Sequence, residues 1–341
     1  MFSRKGSQMP HNHPRISFIG DGSWGTTLAV HLARKGIPAT LWGAFPDNIE
    51  QLTRDRENKR FLPGIKLPRK IQATTCLESA VTSAEIIVLS TPSQYLEDVL
   101  KKIAVYNLRG KKILSIVKGI ENRHLLRMSQ LIHNHLGRVP LAVLSGPTIA
   151  MEVANKIPSS AVIASKNITL AKYLQSIFHS ETFRIYTNTD IIGVELGGSM
   201  KNVIAIACGL CDGLGFGTNT KSALLARGLA EMSRLGTALG ARSRTFAGLT
   251  GLGDLVTTCF SPRSRNRSVG EQLGRGRSIA SILKNMTMVA EGVETCRAID
   301  RLARSHHIEV PITHEVYRII YHHKKPLTAV QHLMKRSVKS E

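Results

Sequence analysis

Residues 16–25 read Ile-Ser-Phe-Ile-Gly-Asp-Gly-Ser-Trp-Gly, and no other stretch restricts the fold so strongly. An apolar run long enough for one strand enters a Gly20-x-Gly22-x-x-Gly25 turn, and an amphipathic stretch follows. The hexapeptide alone occurs by chance in turns; a strand before it and a helix after it give it meaning. Gly20 then permits a tight turn, Gly22 lets the backbone approach a pyrophosphate, and Gly25 lets helix and strand pack closely. The helix start adds free N–H groups and the positive end of its dipole. Such a turn implies a βαβ unit that binds a dinucleotide.

The rest of the chain extends this unit. Short apolar runs at Ile16–Ile19, Ala39–Trp42, Ile86–Leu89, Ile113–Val117, Leu141–Leu144, Ala161–Ala164 and Phe183–Tyr186 alternate with amphipathic stretches. That alternation predicts a parallel sheet with crossover helices. The first helix is expected over Thr26–Lys35, stopping at Gly36. After Asp190 the strand signal ends and helical spacing takes over, as in Ser222–Leu239, with breaks at Gly213–Gly217 and Gly248–Gly253. The fold class expected is α/β: an N-terminal Rossmann-type doubly wound sheet over residues 15–190, then an all-α domain over 191–335. A length of 341 residues fits two cores. Residues 1–14 are polar and basic, without the apolar segment of a secretory signal, and read as a disordered leader. No uninterrupted apolar run approaches the roughly 18 residues of a membrane span, so a cytoplasmic protein is expected.

Chemistry is expected where strands end. In open α/β sheets ligands bind beyond the carboxyl ends of the strands. Leu89-Ser-Thr-Pro-Ser93, Val117-Lys118-Gly119 and Leu144-Ser-Gly146-Pro-Thr148 therefore converge on one site. Lys118 there suits an anionic group, although an isolated loop lysine is otherwise a solvated one. The second strand ends Trp42-Gly43-Ala44, with no acid to grip a ribose hydroxyl or repel a 2′-phosphate, so NADPH is expected to be accepted as well as NADH. Lys201-Asn202 leads straight into an apolar helix; burial there would lower the lysine pKa toward working pH and make it a general acid/base. Asp254 could hold its ammonium, against the plainer reading of a snorkelling lysine beside a capping Asp. Ser264-Arg265-Asn266 has the donors to grip a phosphate.

Other features point away from other functions. Five scattered cysteines form no disulfide framework, and Cys208-x-x-Cys211 lies in an apolar helical run, as two core thiols would. Thirteen histidines show no zinc spacing, so no metal is expected. The net charge of +22 raises nucleic-acid binding as a second function class. Its densest cluster, Arg263 to Arg277, lacks the aromatics that stack bases, and no specific nucleic-acid partner is expected.

These residues carry a family resemblance. Ile-Gly-Asp-Gly-Ser-Trp-Gly-Thr, Ser-Gly-Pro-Thr, Glu-Leu-Gly-Gly-Ser-Met-Lys-Asn-Val-Ile-Ala, Arg-Gly-Leu-Ala-Glu-Met-Ser-Arg-Leu-Gly and Gly-Leu-Gly-Asp-Leu-Val-Thr-Thr-Cys with its following Ser-Arg-Asn lie between Ile16 and about Tyr321. Together they closely resemble the bacterial NAD(P)-dependent glycerol-3-phosphate dehydrogenases. The resemblance implies NAD(P)H-dependent, reversible reduction of dihydroxyacetone phosphate to sn-glycerol 3-phosphate for phospholipid synthesis. It implies Lys201 as proton donor and acceptor. It implies substrate contacts from Lys118, Gly146, Thr148, Asp254, Ser264, Arg265 and Asn266. It implies cofactor contacts from Ser23 and Trp24 beside Gly20, Gly22 and Gly25, and from Lys118, Ala150, Arg265, Val289 and Glu291; Glu291 enters by resemblance alone. Relatives often carry a basic residue or His where this chain has Ala44, which leaves one 2′-phosphate contact open. A different hydroxy-acid dehydrogenase on the same plan is the alternative enzyme, and Ser264-Arg265-Asn266 argues for a phosphorylated substrate instead. A homodimer is allowed, and the sequence leaves the oligomeric state open.

Overall fold

A computed structural model describes residues 13–286 and 288–337. The expected leader lies outside the described residues up to residue 12. Eight strands form one sheet: β1 (Ile16–Ile19), β2 (Ala39–Trp42), β3 (Ile71–Thr74), β4 (Ile86–Leu89), β5 (Lys112–Ser115), β6 (Leu141–Ser145), β7 (Ser159–Ala164) and β8 (Phe183–Asn188). Their order is β3-β2-β1-β4-β5-β6-β7-β8. The chain winds outward from β1 in one direction and from β4 in the other, so the switch point lies between these strands. β1 to β6 pair in parallel, but β7 runs antiparallel to β6 and carries β8 parallel to itself. The sheet is therefore mixed, a correction to the all-parallel expectation.

Both faces of the sheet are covered, which is why the inner strands are apolar without a polar alternate. Phe18 and Val88 bury on one side with Leu28, Leu41 and Phe178. Ile19, Ile87 and Leu89 bury on the other with Leu96, Leu100 and Leu131. Each fully buried Leu, Ile or Phe contributes roughly 1.5–3 kcal/mol. β3 was not expected from the sequence: Ile71-Gln-Ala-Thr74 is a sheet edge with one fully buried side chain, too little apolar signal to read. The first helix starts earlier than expected, at Ser23, and ends at Arg34.

After β8 every element is helical. The central helix Ile191–Gly213 is started by Asp190, whose Oδ1 accepts from the Gly193 N–H at 2.9 Å. It is long and apolar enough to cross a membrane, with a mean hydropathy of 1.4, although 94% of that stretch is buried inside the protein. Length and composition thus pass a test that uninterrupted apolar runs did not. Glu195 ties the helix to the sheet half by accepting from the Ser129 N–H at 2.6 Å and Oγ at 2.7 Å, and by pairing with Arg127. The Arg265–Gly274 helix lies against it so closely that a Cβ on Gly209 would stand 1.9 Å from the Arg267 carbonyl oxygen, and one on Gly270 1.9 Å from that of Ile206. The break expected at Gly248–Gly253 is instead a π-helical turn, Leu249–Gly253, running directly into the helix Asp254–Phe260.

Candidate active site

The glycine turn has the geometry its sequence demands. Gly20 has φ +123°, and a Cβ there would meet the Ser90 carbonyl carbon at 2.8 Å. At Gly25 a Cβ would strike Ser90 Oγ at 2.6 Å and the Gly20 oxygen at 2.8 Å, so helix and strands are in contact. At Gly22 nothing lies within 4 Å, which leaves the backbone open to a ligand. The Ser23–Arg34 helix has no side-chain cap and no acid in its first turn. Trp24 packs edge-on to Phe183, and its Nε1 is a buried donor without a partner among the described residues. Open backbone, uncapped helix start and orphaned donor fit a dinucleotide pyrophosphate.

Beyond β5 and β6, two lysines share one carboxylate. Lys201, on the central helix, donates from Nζ to Asp254 Oδ1 at 2.8 Å and to Thr258 Oγ1 at 2.7 Å. Lys118 donates to Asp254 Oδ2 at 2.7 Å and to the Gly146 carbonyl at 3.2 Å. Asp254 is 1% exposed and Lys201 7%. Burial pushes the Lys201 ammonium down to about 8; Asp254 resists this shift and Lys118 adds to it. Burial also works to raise Asp254, but the ammoniums of Lys118 and Lys201 more than offset it and hold the carboxyl below its ordinary range. Thr148 Oγ1 donates to Gly146 at 3.2 Å, which places it at the same strand end. Ser145 Oγ, buried beside Lys118 and Gly198, has no partner among the described residues.

A second group faces this one. Ser264 caps the Arg265–Gly274 helix, its Oγ accepting from the Arg267 N–H at 3.2 Å. Arg265 donates to the Val289 carbonyl at 2.7 Å, while the rest of its guanidinium is exposed. Asn266 is buried and knits three helices: its Nδ2 donates to Asn202 Oδ1 at 2.9 Å, and its Oδ1 accepts from the Gly292 N–H at 3.0 Å. Glu291 opens the last helix of the site, and burial raises its carboxyl while Arg265 pulls the other way. Ala150 stands apart from both groups, its carbonyl accepting from Thr27 Oγ1 at 3.3 Å behind the glycine turn.

The structure thus joins Lys118, Gly146, Thr148, Lys201 and Asp254 by direct bonds, and Arg265, Val289, Asn266 and Glu291 as a neighbouring set. Thr258 was missed, although it lies four residues after Asp254 on one helical face. The expectation of no acid near the end of β2 needs correction: the Asp21 carboxylate packs against Gly43 from the glycine turn. Cys208 and Cys211 are buried core thiols, and no metal-binding cluster occurs among the described residues.

A dinucleotide turn at a sheet's switch point, with a buried lysine–aspartate–lysine chain that ties the sheet half to the helical half, defines a two-part nicotinamide-dependent dehydrogenase. Two family models match: the NAD-dependent glycerol-3-phosphate dehydrogenase N-terminus over residues 15–171, and the C-terminus of the same family over 190–331. The chain is 46% identical over 329 residues to the glycerol-3-phosphate dehydrogenase [NAD(P)+] of Prosthecochloris aestuarii, covering 96% of this chain and 99% of that one. The crystal structure of glycerol-3-phosphate dehydrogenase from Coxiella burnetii superposes with a TM-score of 0.93 at 37% identity, covering 95% of this chain and 99% of that one. The chain belongs to the bacterial-type NAD(P)-dependent glycerol-3-phosphate dehydrogenase family. It is an oxidoreductase of a family that interconverts dihydroxyacetone phosphate and glycerol 3-phosphate with NAD(P)H.

Proposed function

We propose that this chain reduces dihydroxyacetone phosphate to sn-glycerol 3-phosphate, reversibly, with Lys201 as the proton donor and acceptor. One observation carries the assignment. A lysine ammonium has three N–H donors. Asp254 and Thr258 take two at Lys201, which leaves one for the oxygen on substrate C2. In the reducing direction Nζ gives its proton to that oxygen as negative charge develops on it; in the reverse direction the neutral amine takes the proton back. Asp254 orients Nζ and keeps it charged. Lys118, whose Asp254 and Gly146 bonds also leave one N–H, binds the substrate beside it.

The phosphate falls to Arg265, which spends one of its five N–H donors on Val289, with Ser264 and the second Nδ2 hydrogen of Asn266 beside it. Gly146 and Thr148, just past the end of β6, stand beside Lys118 on the substrate side. Bound NAD(P)H supplies the hydride. Gly20, Gly22, Ser23, Trp24 and Gly25 would hold its pyrophosphate, with Ala150 behind the turn, and Lys118, Arg265, Val289 and Glu291 would lie toward its other end. On this reading residues 15–190 form the dinucleotide-binding domain and 191–335 the helical substrate and catalytic domain, each lending residues to the other's ligand. A cytoplasmic homodimer feeding glycerophospholipid synthesis completes the proposal, with light scattering and cell fractionation as its tests.

The mechanistic test is Lys201→Ala. Turnover should fall by about two to four orders of magnitude, the usual worth of a general acid/base, with a modest change in KM. A variant with near wild-type turnover contradicts the role.

A further inference from the structure

The end of β2, Trp42-Gly43-Ala44, offers no side chain to a ribose, yet a carboxylate stands there. Asp21, the residue between the first two glycines of the turn, is 8% exposed, and its Oδ2 accepts from Asn48 Nδ2 at 2.5 Å. A Cβ on Gly43 would lie 2.7 Å from that same oxygen, so the carboxylate fills the space a side chain at the strand end would take. A carboxylate accepts about four hydrogen bonds. Asn48 and the Asp21 backbone N–H account for two, leaving lone pairs for another donor. The nearby cation is Arg60, exposed, with its guanidinium 5.7 Å from the ring of Phe45 and 5.1 Å from that of Phe61 and no ion pair among the described residues.

In a doubly wound sheet the second strand's end is where an acid accepts the ribose 2′-hydroxyl of NAD and repels the 2′-phosphate of NADP. We propose that Asp21 does this from the glycine turn, giving the enzyme a preference for NADH over NADPH. Arg60 supplies the countercharge by which NADPH still binds, more weakly. The inference rests on the dehydrogenase reading above.

Direct binding tests it without turnover. Of the only two tryptophans, Trp24 lies in the turn and Trp42 beside it, its carbonyl accepting from the Gly20 N–H at 3.0 Å, so quenching of intrinsic fluorescence reports nucleotide binding. NADH and NADPH are titrated into the purified full-length wild type, Asp21→Ala, the isosteric Asp21→Asn, and Arg60→Ala, with thermal melts checking the fold of each. The wild type should bind NADH more tightly. Both Asp21 variants should lower the ratio of the NADPH to the NADH Kd by about tenfold or more, since a hydroxyl–carboxylate bond is lost. Arg60→Ala should weaken NADPH alone. A wild type that prefers NADPH, or Asp21 variants with an unchanged ratio, overturns the proposal. A wild type that binds neither nucleotide overturns the dehydrogenase reading instead.

Discussion

Two ammoniums on one buried carboxylate leave a net positive charge where an anionic substrate has to sit, and the sharing also sets the protonation of Lys201. Its ammonium titrates near 8, so it is protonated below that pH and neutral above it. Ketone reduction needs the protonated form; kcat for reduction should therefore fall as pH rises through about 8, while alcohol oxidation should rise over the same range. Asp254 favours the charged lysine, so Asp254→Asn should move the alkaline limb of the reduction profile to lower pH and reduce its height. An unmoved limb contradicts the coupling. Lys201 and Asp254 were legible in the sequence because a lysine inside an apolar run demands a partner. Thr258 was not, because a helical threonine carries no such demand. Asp21 was not singled out, since a turn's sequence does not tell which way its side chains lean.

Elements bring these residues together through close backbone contact. The central helix and the Arg265–Gly274 helix approach carbonyl to glycine, which carries Arg265 and Asn266 up to Lys201 and Asn202. Gly270→Ala places a Cβ against the Ile206 carbonyl and should lower stability by about 1–3 kcal/mol or more, read as a lower denaturant midpoint. It should also weaken substrate binding, because the two helices carry the two halves of the site. Strands buried on both faces were readable as apolar runs. β3 was not, and neither was the reversed direction of β7, since strand polarity depends on the connection and not on composition. The π-helical turn Leu249–Gly253 was read as a break because glycine-rich sequence looks the same whether it ends a helix or widens its first turn.

Across the whole molecule the charge of +22 is a surface property more than a site. The arginine cluster that stood out in the sequence is largely occupied: Arg267 pairs with Asp212 at 2.7 Å, Arg275 with Glu271 at 2.5 Å, and Arg277 bonds Gln272 at 3.0 Å. Any retention on duplex DNA should therefore be nonspecific and disappear between about 50 and 200 mM salt, whereas a specific complex surviving that range contradicts this view. The glycine turn lies on the sheet half, the Lys201–Asp254 pair on the helical half with Lys118 joining them, and the parts act only together. The direct test of that union is a spectrophotometric assay of NADH and NADPH oxidation by the purified protein, with dihydroxyacetone phosphate or a carboxylate analogue of similar size. The account predicts oxidation with dihydroxyacetone phosphate and little with the carboxylate. No oxidation with either nucleotide, or faster turnover of the carboxylate, would contradict it.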